Sequence, residues 1–303
     1  MTPAAATLVA QRMHVRQRLV DYLALTKPRV VLMVLITTFV GYYLGSIGDL
    51  AVMPLLHTLA GTALAAGGTM ALNQYMERHR DAHMHRTRHR PLPEGRLAPI
   101  EGLVFGVTLT AGGLLYLQLA VGMLAAGLTA IIAASYLLVY TPLKPITSLC
   151  SLVGAIPGAL PPVVGWAAAR GQVGFEAWLL FAIMFLWQVP HTLAIGTLYR
   201  DDYARAGIRV LPVVDWSGTS SGRHSVTNCL ALLPVTLMPT LVGMAGTLYF
   251  AAALVLSGGL LAAAVALKRS GAPSDARRLL LASLVYLPVL LAVMAFDRLP
   301  MLP

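Results

Sequence analysis

Nine runs of mostly apolar residues succeed one another along the chain, at about 29–47, 52–72, 99–118, 122–140, 149–169, 176–198, 227–246, 248–267 and 279–296. At about 1.5 Å of rise per residue, each is long enough to carry a helix through the ~30 Å hydrocarbon layer of a bilayer. The pattern predicts an all-α membrane protein with nine transmembrane helices, although the stretch 227–267 admits a second partition. The connections alternate in kind. "SIGDL", "RGQVG" and "GMAG" are short, whereas those after the second and sixth runs are long and polar.

Positive charge follows the same alternation. Five Lys and Arg lie before or at the start of the first run, six between the second and third, and Lys144 in the next even loop. Four more lie between the sixth and seventh runs and four between the eighth and ninth, which leaves only Arg170 and Arg298 on the other side. By the positive-inside rule the N-terminus is cytoplasmic and the C-terminus outside. Residues 1–28 therefore read as a cytoplasmic tail, and 29–298 as a single membrane domain. The tail carries Arg12, Arg16 and Arg18 without the short apolar core and small-residue cleavage site of a secretory signal. An amphipathic, Arg-bearing start also fits a short mitochondrial transit segment; the bacterial inner membrane is the simpler setting.

Composition agrees with this picture: 57% hydrophobic residues and 11% charged lie outside the balance of a soluble domain. Mean hydropathy is +0.74. The net charge of +10 is mostly topology, with an added attraction for anionic headgroups or an anionic substrate, and is not a nucleic-acid footprint. Cys150 and Cys229, at or inside apolar runs, indicate neither a disulfide framework nor a cysteine metal cluster.

The least apolar segment is 71–96, "ALNQYMERHRDAHMHRTRHRPLPEGR". Asn73, Glu77 and Asp81 are spaced i, i+4, i+8, which on a helix places three oxygen-bearing side chains along one face. Such a stripe suits a hard cation, Mg²⁺ in particular, which takes one or two carboxylates and completes its shell with phosphate oxygens and water. It equally suits the polar end of a helix leaving the membrane, its acids paired with basic neighbours four residues away. Pro91 and Pro93 are expected to stop that helix. Arg78, Arg86, Arg88, Arg90 and Arg96 supply planar donors suited to phosphate oxygens, although any long inner loop gathers arginine for topology. His79, His83, His85 and His89 form two i, i+4 pairs, read either as a transition-metal site or as solvated side chains.

Three further features carry candidate chemistry. Asp201 and Asp202 follow the sixth run beside Arg200 and Arg205; neighbouring helical residues do not share a face, so Asp202 is the one expected to point into a site. The acids of this loop and of 71–96 suggest two half-sites facing one cavity. His191 lies inside the sixth run beside Pro190, where an ionisable residue at membrane depth is a functional candidate, as a ligand to a porphyrin iron or as an interhelical hydrogen-bonding group. "YTPLKPITSLCSLVGAIPGALPPVVGWAA", 140–168, joins Lys144 to a run broken by Pro157, Pro161 and Pro162, and irregular backbone at that depth implies a cavity.

The motifs "TKPRV", "NQYMERHRDAHMHRTRHRPLPEGR", "YTPLK…GAIPGALPPVVGWAA" and "WQVPH…LYRDDYARAGIRVLPVV" resemble those of the UbiA intramembrane prenyltransferase superfamily, and within it the heme-farnesylating branch. The resemblance covers most of 26–214. It implies nine helices around a central, lipid-accessible cavity with an Mg²⁺-diphosphate site at its cytoplasmic mouth. It further implies transfer of a farnesyl group from farnesyl diphosphate to a vinyl group of heme B, with addition of water. On this basis Asn73, Glu77, Asp81 and Asp202 are the expected catalytic residues, with Asp201 added for the metal. Lys27, Arg78, Arg86, Arg90 and Lys144 are the expected diphosphate contacts, and His191 the heme contact. A downstream protein partner, a heme A synthase or a terminal oxidase, is implied as well. Leu198 stands where relatives carry a second acid four residues before Asp202. The alternatives are a prenyltransferase acting on a quinone-precursor ring and, from a different class, a membrane transporter, against which stands the gathering of polar residues at one face.

Overall fold

The computed structural model describes residues 15–300; Arg12 and the rest of the first 14 residues of the expected tail, like 301–303, lie outside the described residues. Helix α1 covers 15–25. It is followed by α2 (Pro28–Gly45), α3 (Val52–Asp81), α4 (Pro99–Ala120), α5 (Met123–Leu143), α6 (Cys150–Arg170) and α7 (Phe175–Leu198). A short α8 (Arg200–Arg205) then leads to α9 (Thr219–Leu241), α10 (Thr247–Ser270) and α11 (Pro273–Phe296).

Eight of these helices, α2 to α7 with α10 and α11, are long and apolar enough to cross a membrane. Helix α9 is 23 residues long and packs among them, but it begins with the polar "TSSGRHSVTN". The apolar run at 227–246 is thus only the later part of a helix that starts at Thr219, where Asp215 accepts the Ser221 backbone N–H at 2.7 Å. Large apolar side chains such as Leu119, Val255 and Phe296 remain exposed on the outer faces, as lipid contact requires.

Helix α6 is broken where the prolines predict. Its halves, Cys150–Ala159 and Pro161–Arg170, meet at Leu160 because Pro161 and Pro162 have no N–H to continue the ladder. The first half packs on α7 and the second on α2. The second contact is backbone against backbone: a Cβ on Gly165 would lie 1.9 Å from the Thr38 carbonyl oxygen, and one on Gly41 1.9 Å from that of Pro162. Small residues at such crossings let helices approach in the absence of a hydrophobic drive between them.

Two local departures from regular helix shape the polar end of the bundle. Within α5, Ser135–Tyr140 forms a π-helical stretch, closed by the N–H of Thr141 on the Tyr136 carbonyl. The wider turn resets the direction in which Thr141 and Lys144 project. Helix α3 ends at Asp81, well before Pro91 and Pro93, which corrects the expected stop. From Ala82 to Leu97 the chain runs in successive turns. The backbone N–H groups of His85 and Arg86, which a continued helix would use internally, are instead given to the Asp202 carboxylate.

Helix α1 packs against this cap. Gln74 of α3 donates to the carbonyls of Ala24 and Leu25, both at 2.9 Å, tying the C-terminal end of α1 to α3. Leu25 is buried with Ala71, Leu92 and Leu97, and Arg96 pairs with Asp21 at 3.0 Å.

Gly165→Ala should therefore destabilise the protein by about 1–3 kcal/mol, because the α2 backbone cannot yield without parting the helices. Gly112→Ala, with nothing within 4 Å of the added methyl, should leave the thermal midpoint in detergent unchanged or raised. Equal midpoints for the two variants would contradict the close crossing.

Candidate active site

Asn73, Glu77 and Asp81 stand at the polar end of α3 with relative exposures of 0%, 6% and 1%. A helix merely emerging into water would leave them solvated or paired with arginines on their own turn. Each is instead met by a cation from another segment. Lys27 Nζ donates to Asn73 Oδ1 at 2.7 Å. Lys144 Nζ lies 2.7 Å from Glu77 Oε1 and donates to Oε2 at 2.9 Å. Arg90 pairs with Asp81 Oδ2 at 2.7 Å. Asn73 completes the row by donating to Glu77 Oε2 and to Thr141 Oγ1, both at 3.0 Å.

Glu77 and Asp81 line a cavity of about 110 Å³. Lys27, Arg86, Arg90 and Lys144 face it together with Glu77 and Asp81, so four cationic side chains oppose two carboxylates. The surplus is positive and enclosed, which favours a polyanion. The two lysines are held differently. Burial, with Arg90 and Lys144 nearby, pushes the Lys27 ammonium down to about 7. Burial also works against the Lys144 ammonium, but Tyr140 and Glu77 beside it prevail and hold it above the ordinary lysine range. Lys27 is also the one non-glycine residue with positive φ among those described, at 50°, and it precedes Pro28. A lysine is held in that sparsely populated conformation only where its surroundings enforce it.

Asp202 does not face this cavity with a free carboxylate. Its Oδ1 accepts the His85 N–H at 3.3 Å, its Oδ2 accepts the Arg86 N–H at 3.4 Å, and Arg205 pairs with it from one turn on. Burial disfavours the ionised carboxylate, but these donors outweigh it and hold the group below the usual aspartate range. The clamp fixes the start of the 82–97 segment, so that the Arg86 guanidinium lies over the rings of Tyr203 and Tyr199, at 4.5 and 5.2 Å from their centroids. Asp201, the neighbour, is exposed. Arg78 turns away, donating to the Tyr75 carbonyl at 2.7 Å and stacking on that ring at 4.5 Å. Of the paired histidines, His83 Nδ1 donates to the His79 carbonyl at 2.8 Å, and His89 lies 3.3 Å from Glu94. His191 is remote from the cavity, with Nδ1 2.8 Å from Ser283 Oγ on α11.

Among the described residues no three His, Cys, Asp or Glu side chains come together as a metal cluster. An ion at the α3 stripe therefore draws on Glu77, Asp81 and the Asn73 amide oxygen, and completes its shell elsewhere. The donor set fits a hard divalent cation: it is all oxygen, and the buried Glu77 Oε1 takes no well-directed hydrogen bond although Lys144 Nζ is close. Tyr140, Thr141 and Tyr203 also belong to the site without having drawn notice in the sequence. The one signal was position: Tyr140 lies four residues before Lys144, and its ring packs 4.6 Å from Nζ.

Residues 34–287 match the profile of the UbiA prenyltransferase family. The chain is 46% identical over 287 residues to a protoheme IX farnesyltransferase of Solibacter usitatus, covering 92% of this chain and 98% of that protein. It is 44% identical to the protoheme IX farnesyltransferase of Koribacter versatilis, covering 98% and 99%. Among solved structures, a UbiA homologue of Archaeoglobus fulgidus bound to GPP and Mg²⁺ superposes with a TM-score of 0.63 at 16% identity over 91% of this chain and 99% of that one. One of digeranylgeranylglyceryl phosphate synthase gives a TM-score of 0.79, also at 16% identity, over 93% and 98%. At such identities these two likenesses show the fold.

The Asp202 clamp should be intact at every pH above the ordinary aspartate value of about 3.9, since a lowered native value keeps its contribution until the pH falls through that value. Hydrogen exchange of 82–97, corrected for its intrinsic pH dependence, should stay flat down to about pH 5 and accelerate only in stronger acid. Asp202→Ala should show the fast exchange at neutral pH. Unchanged protection in that variant would refute the clamp.

Proposed function

The chain belongs to the UbiA prenyltransferase family, and on that footing we infer that it transfers the farnesyl group of farnesyl diphosphate to a vinyl group of heme B, with addition of water, giving heme O and diphosphate. The observation that carries the reading is the buried cavity at the end of α3, where four cationic side chains outnumber two carboxylates. It supports the diphosphate half of the reaction; the heme half rests on the names of the relatives. The setting is a bacterial inner membrane, with the cavity at the cytoplasmic face, the N-terminus on that side and the C-terminus outside.

The allylic C1–O bond of farnesyl diphosphate breaks when charge on the departing oxygens is neutralised. Lys27, Lys144, Arg90 and Arg86 are placed to do this. In the ligand-free protein, three of them are engaged by Asn73, Glu77 and Asp81. Phosphate oxygens take over these cations and thereby free the α3 oxygens for a divalent ion. That ion, Mg²⁺ held by Asn73, Glu77 and Asp81, would supply further neutralisation of the diphosphate when bound. Asp202 contributes by holding Arg86 in place. The terminal vinyl carbon of heme B then bonds to farnesyl C1, the positive charge moves to the carbon next to the porphyrin, and water adds there with loss of a proton. Apolar walls below the cavity must exclude water from the first cation. His191, deeper in α7, is the heme contact.

Purified protein supplied with Mg²⁺, farnesyl diphosphate and heme B should yield heme O by mass spectrometry, and a chelator should stop turnover until Mg²⁺ is restored. Absence of heme O alongside a prenylated product from 4-hydroxybenzoate would move the assignment to the ring-prenylating relatives. Glu77→Gln and Asp81→Asn should each lower kcat by about 100-fold or more with the protein still folded. Wild-type rates in both would remove the α3 stripe from the reaction.

A further inference from the structure

Helix α7 carries a second polar group within the bundle, separate from the cavity. His191 lies seven residues before Leu198, roughly 10 Å along the helix from its polar end. Trp187, one turn earlier, stacks on the imidazole with ring centroids 4.8 Å apart and planes 21° from parallel. Both side chains meet one residue of α11, the fully buried Ser283. Its carbonyl accepts the Trp187 indole N–H at 2.9 Å. Its hydroxyl is 2.8 Å from His191 Nδ1 and 2.7 Å from the Leu280 carbonyl oxygen.

These contacts assign the protons. A carbonyl oxygen only accepts, and a serine hydroxyl has one hydrogen to give. Both contacts are hydrogen bonds at once only when that hydrogen goes to Leu280 and Nδ1 carries the imidazole proton, the hydroxyl oxygen accepting from it. In that arrangement Nε2 is left with its lone pair, the one side-chain hydrogen bond of His191 among the described residues being that of Nδ1. The ring plane is fixed by Trp187, its tautomer by Ser283, and its open edge is the nitrogen that binds metals.

We propose that Ser283 is a positioning residue that locks His191 in the Nδ1–H tautomer, presenting Nε2 as an axial ligand to the iron of the porphyrin substrate. This rests on the heme reading given above. A neutral imidazole whose far nitrogen donates to an oxygen is the form in which histidine ligates metals, and the donor bond sets both its orientation and its basicity. Water and bulk polar groups are scarce at this depth, so the serine hydroxyl is the group that decides the tautomer.

The test uses the full-length protein in detergent with protoheme and no farnesyl diphosphate, so that binding is read apart from turnover. Wild type should bind ferrous protoheme with an iron–histidine stretching band in resonance Raman that is absent in His191→Ala. Ser283→Ala should bind heme about 10–100-fold more weakly and shift that band, while Ser283→Thr, which keeps the hydroxyl, restores both. In heme-free protein labelled with ¹⁵N-histidine, wild type should show a protonated Nδ1 and an unprotonated Nε2, an arrangement lost in Ser283→Ala. An unchanged band, affinity and tautomer in Ser283→Ala would overturn the proposal. A wild-type protein that makes heme O but shows no His191-dependent band would also overturn it while leaving the farnesyl-transfer reading intact, whereas failure to make heme O would strike that reading itself.

Discussion

Everything at the polar end of the bundle depends on burying charge. Glu77 and Asp81 lie almost without solvent contact, and an ionised carboxylate is tolerable there only with a partner at hydrogen-bonding distance. The partners arrive from two separate segments, Lys144 from the end of α5 and Arg90 from the segment after α3, while Lys27, from the turn before α2, meets the neighbouring Asn73 amide. Removing one partner from a buried pair costs about 3–5 kcal/mol. The pairs thus both assemble the helix ends and hold a concentrated set of charges ready for exchange. A polyanion with a divalent ion has the charges needed to replace every pair at once.

The fold serves this arrangement through its irregularities. The π-helical stretch in α5 directs Thr141 and Lys144 toward α3. The left-handed Lys27 turns the chain between α1 and α2 so that one ammonium reaches Asn73. The early end of α3 at Asp81, with Asp202 holding the following N–H groups, brings Arg86 and Arg90 back over the cavity instead of carrying them away on a longer helix. The break in α6 separates a half that packs on α2 from a half that packs on α7, and so joins the two sides of the bundle.

The polar group on α7 is organised by a different constraint. Inside the bundle, hydrogen-bond donors and acceptors must be matched among a few side chains, because no water is at hand to absorb a mismatch. Trp187, His191 and Ser283 satisfy one another and leave a single nitrogen lone pair over. The cavity at the end of α3 carries surplus charge, this group a surplus acceptor. They lie about two to three helical turns apart along α7 and its continuation.

The sequence by itself determined the membrane class, eight of the apolar spans and the break in α6, because apolar run length and proline chemistry act locally. It also determined that Asn73, Glu77 and Asp81 share a helix face, since four-residue spacing does so on any helix. It left α9 ambiguous, because a helix with a polar beginning does not show as an apolar run, and it placed the end of α3 too late, because the prolines were visible and the Asp202 clamp was not. Only the tertiary structure decided which charges meet. It turned Arg78 out onto Tyr75, left Asp201 in solvent, gave Asp202 to the backbone of His85 and Arg86, and set Tyr140 and Tyr203 against the cationic side chains. The contacts of Asp202 with His85 and Arg86, and of Tyr203 with Arg86, join segments distant in sequence, and spacing along a chain carries no information about which side chain another helix will bring to it.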